Sequence, residues 1–254
     1  MGSNEDVKIN ATKTSFRLIE TLGDLEGATL TTLADQLDLP KSTVHRHLST
    51  LLSLGYVVKR DAEYDISYKF LKISESRRSR DERLFAVQRA VYEIAEETSE
   101  RVVFTVEEKG MGVYLFRAGG VSSYRSDVLV GRHRPLHSTA SGKAILSTKS
   151  NEEIREYIDT YGLTALTEHT ITDPDAFLDD MERTRERGYS LSEEENRTGL
   201  RAVGVPVRRP DGAVLGALAV FGPKGRFPDD RFENDLPERL LNKAEEIQID
   251  LEYA

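Results

Sequence analysis

The sequence contains no cysteine, so disulfides, thiolate zinc sites and cysteine nucleophiles are excluded. It has no run of about eighteen apolar residues and so no candidate for a membrane-spanning helix. Its opening, Met1-Gly2-Ser3-Asn4-Glu5-Asp6, is polar and acidic. It lacks the basic and apolar regions of a signal peptide, and the expectation is a cytoplasmic protein without membrane contact. Aromatic residues are few, at 7%, and lysine is scarce beside arginine. The 254 residues suffice for two modest domains, each with its own core.

The net charge is −9, with acidic residues spread along the chain. Global acidity opposes contact with nucleic acid, because phosphate contacts need local positive charge. Acidic residues throughout, few lysines and few aromatics are also what a chain from a salt-rich cytoplasm shows. Molar salt screens charges within about 3 Å, so the objection weakens there.

One stretch, residues 33–55, stands out against this background. It reads as two short helices around the turn Asp38-Leu39-Pro40. In the second helix Val44, Leu48, Leu51 and Leu52 recur at helical spacing as an apolar stripe. Ser42, His45, Arg46, Ser49 and Ser53 form the opposite face, and Gly55 stops the helix. Surface helices ordinarily carry long charged residues that favour the helix. Ser, Thr and His are mediocre helix formers. A short, hydrogen-bonding face with one guanidinium suits a DNA major groove better than bulk water.

Around this stretch the elements fall in a recognisable order. Residues 12–25 form a first helix with Thr12 or Thr14 as cap, Gly27-Ala28-Thr29 is a break, and Thr31 caps the helix over 32–37. Residues 56–60 and 64–67 alternate apolar and polar side chains around Asp61-Ala62-Glu63, which reads as a hairpin. Three helices and a hairpin make a winged helix-turn-helix over residues 1–67, with Lys59 and Arg60 at the hairpin base in reach of phosphates. Residues 68–83 are charged and core-free, a partly helical linker. From residue 84 to 254 the order is a long helix to about Ser99, a strand over 101–106, and a turn at Lys109-Gly110-Met111-Gly112. A return strand over 113–116, a strand over 124–130 and helices over 139–148 and 152–161 follow. Asp173 caps a helix running to Gly188, strands flank Arg209-Pro210-Asp211-Gly212, and a last helix covers 229–251. That order is α+β.

Enzyme motifs fail on inspection. At His137-Ser138-Thr139-Ala140-Ser141-Gly142-Lys143-Ala144 a phosphate loop would need Gly at 137 and Ser or Thr at 144. Neither a Ser-x-x-Lys nor a Gly-x-Ser-x-Gly arrangement is present there. The five histidines show no ligand spacing, so no metal or cofactor is expected. Glu193-Glu194-Glu195 reads as a solvated loop or strand end. A second reading keeps the C-terminal half as a metabolite-binding or enzymatic α+β domain, with the N-terminal helices making only protein contacts.

The blocks together resemble the IclR family of transcription regulators across essentially the whole length. The residues carrying the likeness are Leu39-Pro40-Lys41-Ser42-Thr43-Val44-His45-Arg46-His47-Leu48 with Gly55-Tyr56, then residues 131–144. Gly188-Tyr189 with Glu193-Glu194-Glu195-Asn196, and residues 199–207 with Gly222-Pro223, complete it. The resemblance implies a GAF-like effector domain behind the winged helix, and homodimers or dimers of dimers on double-stranded operator DNA. It also implies a small-molecule effector, with catabolic genes under control. By family position the DNA-facing residues are Lys13, Thr14, Lys41, Ser42, Thr43, His45, Arg46, Ser49, Lys59 and Arg60. Thr14 stands where the family often has arginine, and Asp61 and Glu63 make the hairpin tip acidic. Both departures weigh against deep minor-groove insertion.

The same likeness places the effector pocket at Ser126, Val128, Arg134, Ala140, Ser141, Gly142, Ser192, Ala202, Ala219 and Phe221. The Ser141 and Gly142 amides at a helix start would seat a carboxylate, which points to an organic acid. Ala202, Ala219 and Phe221 make the pocket more apolar than in members with polar residues there. An aromatic acid and a short keto acid are both open, and core packing is the alternative role for Ala219 and Phe221. The halophile reading carries its own test: the melting temperature of the purified protein should rise steeply with potassium chloride, and indifference to the salt would contradict it.

Overall fold

Leu18 and Leu22, one turn apart, are the fully buried face of the first helix, α1 (Asn10–Asp24). A computed structural model, describing residues 9–119 and 129–252, separates the chain into two units, residues 1–81 and 82–254. In the first, α1 packs with α2 (Leu30–Leu37) and α3 (Lys41–Ser53) around Leu33, Val44 and Leu48. Strands β1 (Ala28–Thr29), β2 (Val57–Arg60) and β3 (Glu63–Ile66) form a small antiparallel sheet in the order β1-β3-β2. Helix α4 (Lys69–Arg78) follows and buries no residue.

Local chemistry explains the boundaries. Gly55 takes φ +76°, and its N–H bonds the Leu52 carbonyl while that of Tyr56 bonds Leu51. This double bond closes α3 with a left-handed residue that glycine supplies at least cost. Three expectations change. Ile9, not Thr12 or Thr14, precedes α1, and no side chain caps it. Thr29 rather than Thr31 caps α2, accepting from the Thr32 amide at 3.2 Å. The supposed break at residues 27–29 supplies β1, because Ala28 pairs with Tyr64.

The second unit runs α5 (Arg83–Thr98), β4 (Arg101–Glu108), β5 (Met111–Ala118), β6 (His133–Pro135), α6 (Ala140–Leu146), α7 (Asn151–Tyr161) and α8 (Pro174–Arg187). It ends with β7 (Ser190–Glu193), β8 (Leu200–Arg208), β9 (Val214–Pro223) and α9 (Leu236–Glu252). The strands form one antiparallel sheet in the order β6-β5-β4-β9-β8-β7. Alternation sorts its faces. Val102, Phe104, Val203, Val205, Leu218 and Val220 pack under α5 and α9. On the other face lies α6, which shares a core with α7 and α8 through Ile145, Leu146, Ile154, Phe177 and Met181.

Several boundaries differ from expectation. Lys109 and Gly110 alone make the β4–β5 turn, both at positive φ, so the strands extend to Glu108 and from Met111. Of the strand expected over 124–130, residues 124–128 lie outside the described residues, and Leu129 and Val130 are not in a strand. The last helix is regular only from Leu236, after a wider turn at Arg231–Asp235. Asp173 caps α8 as expected, accepting from Ala176 at 2.9 Å, with Pro174 first in the helix.

Two glycines set the separation of α6 from its neighbours. A Cβ on Gly142 would lie 2.1 Å from the Leu136 carbonyl oxygen, and one on Gly204 would lie 2.6 Å from the Ala140 carbonyl. Both obstacles are backbone. Gly204→Ala should therefore cost about 1–3 kcal/mol in denaturant unfolding. Gly23→Ala, with nothing within 4 Å and ordinary helical φ, should gain about 0.5–1 kcal/mol. Equal effects at the two sites would refute the close-packing account.

Candidate nucleic-acid interface and ligand cavity

On α3 the stripe Val44, Leu48 and Leu51 is buried, which leaves Lys41, Ser42, His45, Arg46 and Ser49 exposed along one face, with Thr43 half-buried at its edge. His47, between the two faces, receives or donates a 2.8 Å bond with Ser15 Oγ through Nδ1, pinning α1 to α3. Thr50 and Ser53 turn their hydroxyls back onto the carbonyls of Arg46 and Thr50. Lys59 and Arg60 are exposed on β2, and the Lys59 ammonium lies 5.1 Å from the Tyr64 ring centre. Lys13 and Thr14 are half-buried in α1. Asp61 and Glu63 are exposed at the hairpin tip.

The charge is unevenly divided. Residues 1–81 hold 12 Lys/Arg and 12 Asp/Glu, whereas residues 82–254 hold 23 and 32. The entire net charge of −9 belongs to the second unit. The acidity that argues against DNA contact is thus absent from the unit that carries α3.

The second unit holds a cavity of about 320 Å³ between the sheet and the start of α6. Of the residues expected there, Arg134, Ala140, Ser141, Ser192, Ala202, Ala219 and Phe221 line it. Ser126 and Val128 lie outside the described residues. Gly142 does not line the cavity, and its amide is taken by Thr139 Oγ1 at 3.1 Å. The helix-start seat for a carboxylate therefore does not include Gly142. Val103, Tyr114, Thr139, Asn196, Arg197, Leu200 and Arg201 also line the cavity and were not anticipated. Val103 and Tyr114 share the face of Ala219 only through the pairing of strands far apart in sequence, which no local signal gives. Ala219 and Phe221 serve both roles weighed for them, because with Val103 and Tyr114 they form a small apolar cluster that is also a cavity wall.

The Arg134 guanidinium and the Tyr114 phenol line the same end of the cavity. Burial pushes the Tyr114 phenol above its ordinary value, and the Arg134 guanidinium acts the other way. The Nε of Arg134 is buried and has no hydrogen-bond partner among the described residues. Arg201 is differently placed: it bonds Glu193 at 2.6 Å, Asp229 at 2.7 Å and the Phe227 carbonyl at 2.7 Å, with its guanidinium 4.7 Å from the Phe232 ring centre.

Behind the cavity Lys143, 1% exposed, bridges Asp180 on α8 at 2.9 Å and Glu195 at 2.6 Å. Burial pushes the Glu195 carboxyl above the ordinary carboxylate range, with Lys143 opposing. The reading of 193–195 as a solvated loop or strand end holds for exposed Glu193 and fails for Glu195. Glu193 ends β7 in an ion pair with Arg201, and Glu195 is buried. The Thr170 hydroxyl donates to the Glu195 carbonyl at 2.6 Å, and that of Thr167 to the Glu194 carbonyl at 2.8 Å. Asn196 and Arg197 follow directly, so the buried ions anchor the loop that brings them to the cavity. No group of three His, Cys, Asp or Glu suited to a metal occurs among the described residues.

Comparison with known proteins agrees with both units. Residues 14–61 match the family described as the IclR helix-turn-helix domain, and residues 83–249 match the bacterial transcriptional regulator IclR C-terminal family. The chain is 28% identical over 240 residues to the HTH-type transcriptional regulator KdgR of Escherichia coli, covering 94% of this chain and 91% of that one. It is 30% identical over 240 residues to the acetate operon repressor of Salmonella typhimurium, covering 92% and 87%. The crystal structure of Thermotoga maritima IclR superposes with a TM-score of 0.82 at 27% identity, covering 95% of this chain and 98% of that one.

His137 is buried near this assembly. Its Nε2 donates to the Thr164 carbonyl at 3.0 Å, and Nδ1 has no partner among the described residues. Burial therefore holds its pKa below the ordinary 6.5. The unfolded chain takes up this proton first as pH falls, so the stability from the neutral ring is complete above about pH 6.5 and is lost below it. His137→Gln keeps an N–H for Thr164. It should lose less melting temperature than the parent between about pH 7 and pH 5.5, and equal losses would be the contrary result.

Proposed function

The chain belongs to the IclR family of transcription regulators, and from that membership we propose how its parts divide the work. It is a regulator with a helix-turn-helix DNA-binding domain and a C-terminal effector-binding domain. We assign DNA binding to residues 1–67, a connector to 68–83, and effector binding and self-association to 84–254. Relatives are named as regulators of transcription, and we assign this chain no catalytic residue. No described helix is long and apolar enough to cross a membrane, which fits a cytoplasmic site of action.

The observation that carries the DNA reading is the exposed face of α3 on a unit without net charge. Arg46 is placed to bond a guanine edge or a phosphate, and Ser42, Thr43, His45 and Ser49 to bond base edges or phosphates. Lys13, Thr14, Lys41, Lys59 and Arg60 flank them as backbone contacts. The acidic hairpin tip leaves most base reading to α3. Homodimers or dimers of dimers would then set the half-site spacing on the operator. The cavity receives a small organic acid whose binding alters DNA affinity, with Arg134, Ala140, Ser141, Ser192, Ala202, Ala219 and Phe221 around it. Control of catabolic genes fits such a sensor.

A gel shift at molar potassium chloride, with DNA from upstream of the chain's own gene, tests the assignment. A sequence-specific shift is expected, weakened about 5- to 150-fold by Arg46→Ala. A missing shift, or an unchanged one with Arg46→Ala, would refute it.

A further inference from the structure

The cavity has a pattern of donors and acceptors that restricts what it holds. One strip of sheet crosses it from β6 to β7. Val103 pairs with Ala219, Gly204 with Ala219, and Ala202 with both Phe221 and Ser192. Arg134 and Tyr114 stand at one end of the strip and Ser192 at the other. Between them the floor on β4, β9 and β8 is Val103, Ala219, Phe221 and Ala202. Strands lie about 4.8 Å apart, so this apolar floor is about 10 Å wide.

The polar groups are mostly donors. Among the described lining residues there is no Asp, Glu, His or Gln, and Asn196 carries the one amide carbonyl. Thr139 Oγ1 already accepts from Gly142, and Ser141 Oγ from Thr105 at 2.7 Å. A polyhydroxylated acid brings a donor and two acceptor lone pairs per hydroxyl; Tyr114, Ser192 and Asn196 serve those at the rim, but those over the apolar floor go unpaired. Each buried, unpaired donor costs about 1–3 kcal/mol. A carboxylate has the opposite need, since it only accepts.

Three arginines line the cavity, and with Arg197 exposed to solvent the cationic supply points to a single anion. Arg201 is already neutralised by Glu193 and Asp229. Arg134 has no ion pair among the described residues and keeps a buried, partnerless Nε beside the Tyr114 hydroxyl. Size argues against a very short acid. At about 320 Å³ the cavity falls within the ~300–1,000 Å³ range of ligand pockets that bury drug-sized molecules. A pyruvate-sized ligand would leave the apolar floor wet.

We propose that this cavity takes an aromatic monocarboxylate, its carboxylate on Arg134 and Tyr114 and its ring on the floor of Val103, Ala219, Phe221 and Ala202. The proposal rests on the organic-acid reading given above and narrows it. Ala202 and Ala219 are the specificity-setting positions, since their small side chains leave room for a flat ring and offer hydroxyl-bearing ligands nothing to bond.

The test is calorimetric titration of the full chain at molar potassium chloride with benzoate, benzamide, gluconate and pyruvate, alongside the melting temperature with each. Benzoate should bind at least tenfold more tightly than the other three. Arg134→Gln should weaken benzoate at least tenfold, and Ala219→Leu should do the same by filling the floor while the melting transition stays cooperative. Tighter binding of gluconate or pyruvate would overturn the aromatic assignment and leave the organic-acid reading standing. Benzamide binding as well as benzoate would overturn the Arg134 seat. Benzoate binding unaffected by both substitutions would place it elsewhere and overturn the proposal. No binding of any acid would overturn both the proposal and the reading beneath it.

Discussion

The second unit depends on how closely α6 sits on its sheet. Seven residues of helix are held there by two absences of a side chain, at Gly142 and Gly204, and by one buried charge, Lys143. Lys143 reaches away from the sheet to Asp180 on α8 and to Glu195 beyond β7. A lone buried ammonium would be very costly, but two carboxylates and close geometry offset much of that cost. The arrangement ties the α6–α7–α8 layer to the loop after β7. It also fixes one wall of the cavity, because Thr139, Ala140 and Ser141 open α6 while Asn196 and Arg197 follow Glu195. Packing and binding are served by the same few residues.

The α3 unit works on a simpler constraint. Its core is mainly leucine, with two valines, two alanines and Tyr64, and every core residue on α3 lies on the same stripe. Burying that stripe fixes which residues face out, so the exposed row of Ser42, His45, Arg46 and Ser49 follows from packing alone. The Ser15–His47 bond ties the middle of α3 to α1, and the glycine closure at Gly55 ends the helix. The small sheet adds β1, only two residues long, to clamp the hairpin against the helices.

What could be read from sequence divides along the same physical line. Helical spacing made the α3 face legible, and Asp173-Pro174 with Gly188 marked α8, because each signal lies within one element. Cavity residues were legible where family position supplied them, such as Arg134 and Ser192. Tyr114, Asn196 and Arg201 were not, since their place depends on strands far apart in sequence becoming neighbours. The misreading of Glu195 has the same origin. A run of three glutamates looks solvated locally, and only the distant Lys143 shows why one of them is buried. The expected break at 27–29 became β1, and Thr29 took the cap expected of Thr31, through a pairing with β3 that has no local signal.

The division of charge between the units bears on how a binding site is searched for. Attraction to phosphates, independent of sequence, is what lets proteins linger and slide along random DNA. A reading unit with 12 positive and 12 negative residues, tied to a unit carrying all nine net negative charges, has little of that attraction. Whatever attraction to phosphates the unit has must come from where its cations lie rather than from how many there are, and Lys41, Arg46, Lys59 and Arg60 are exposed on α3 and β2.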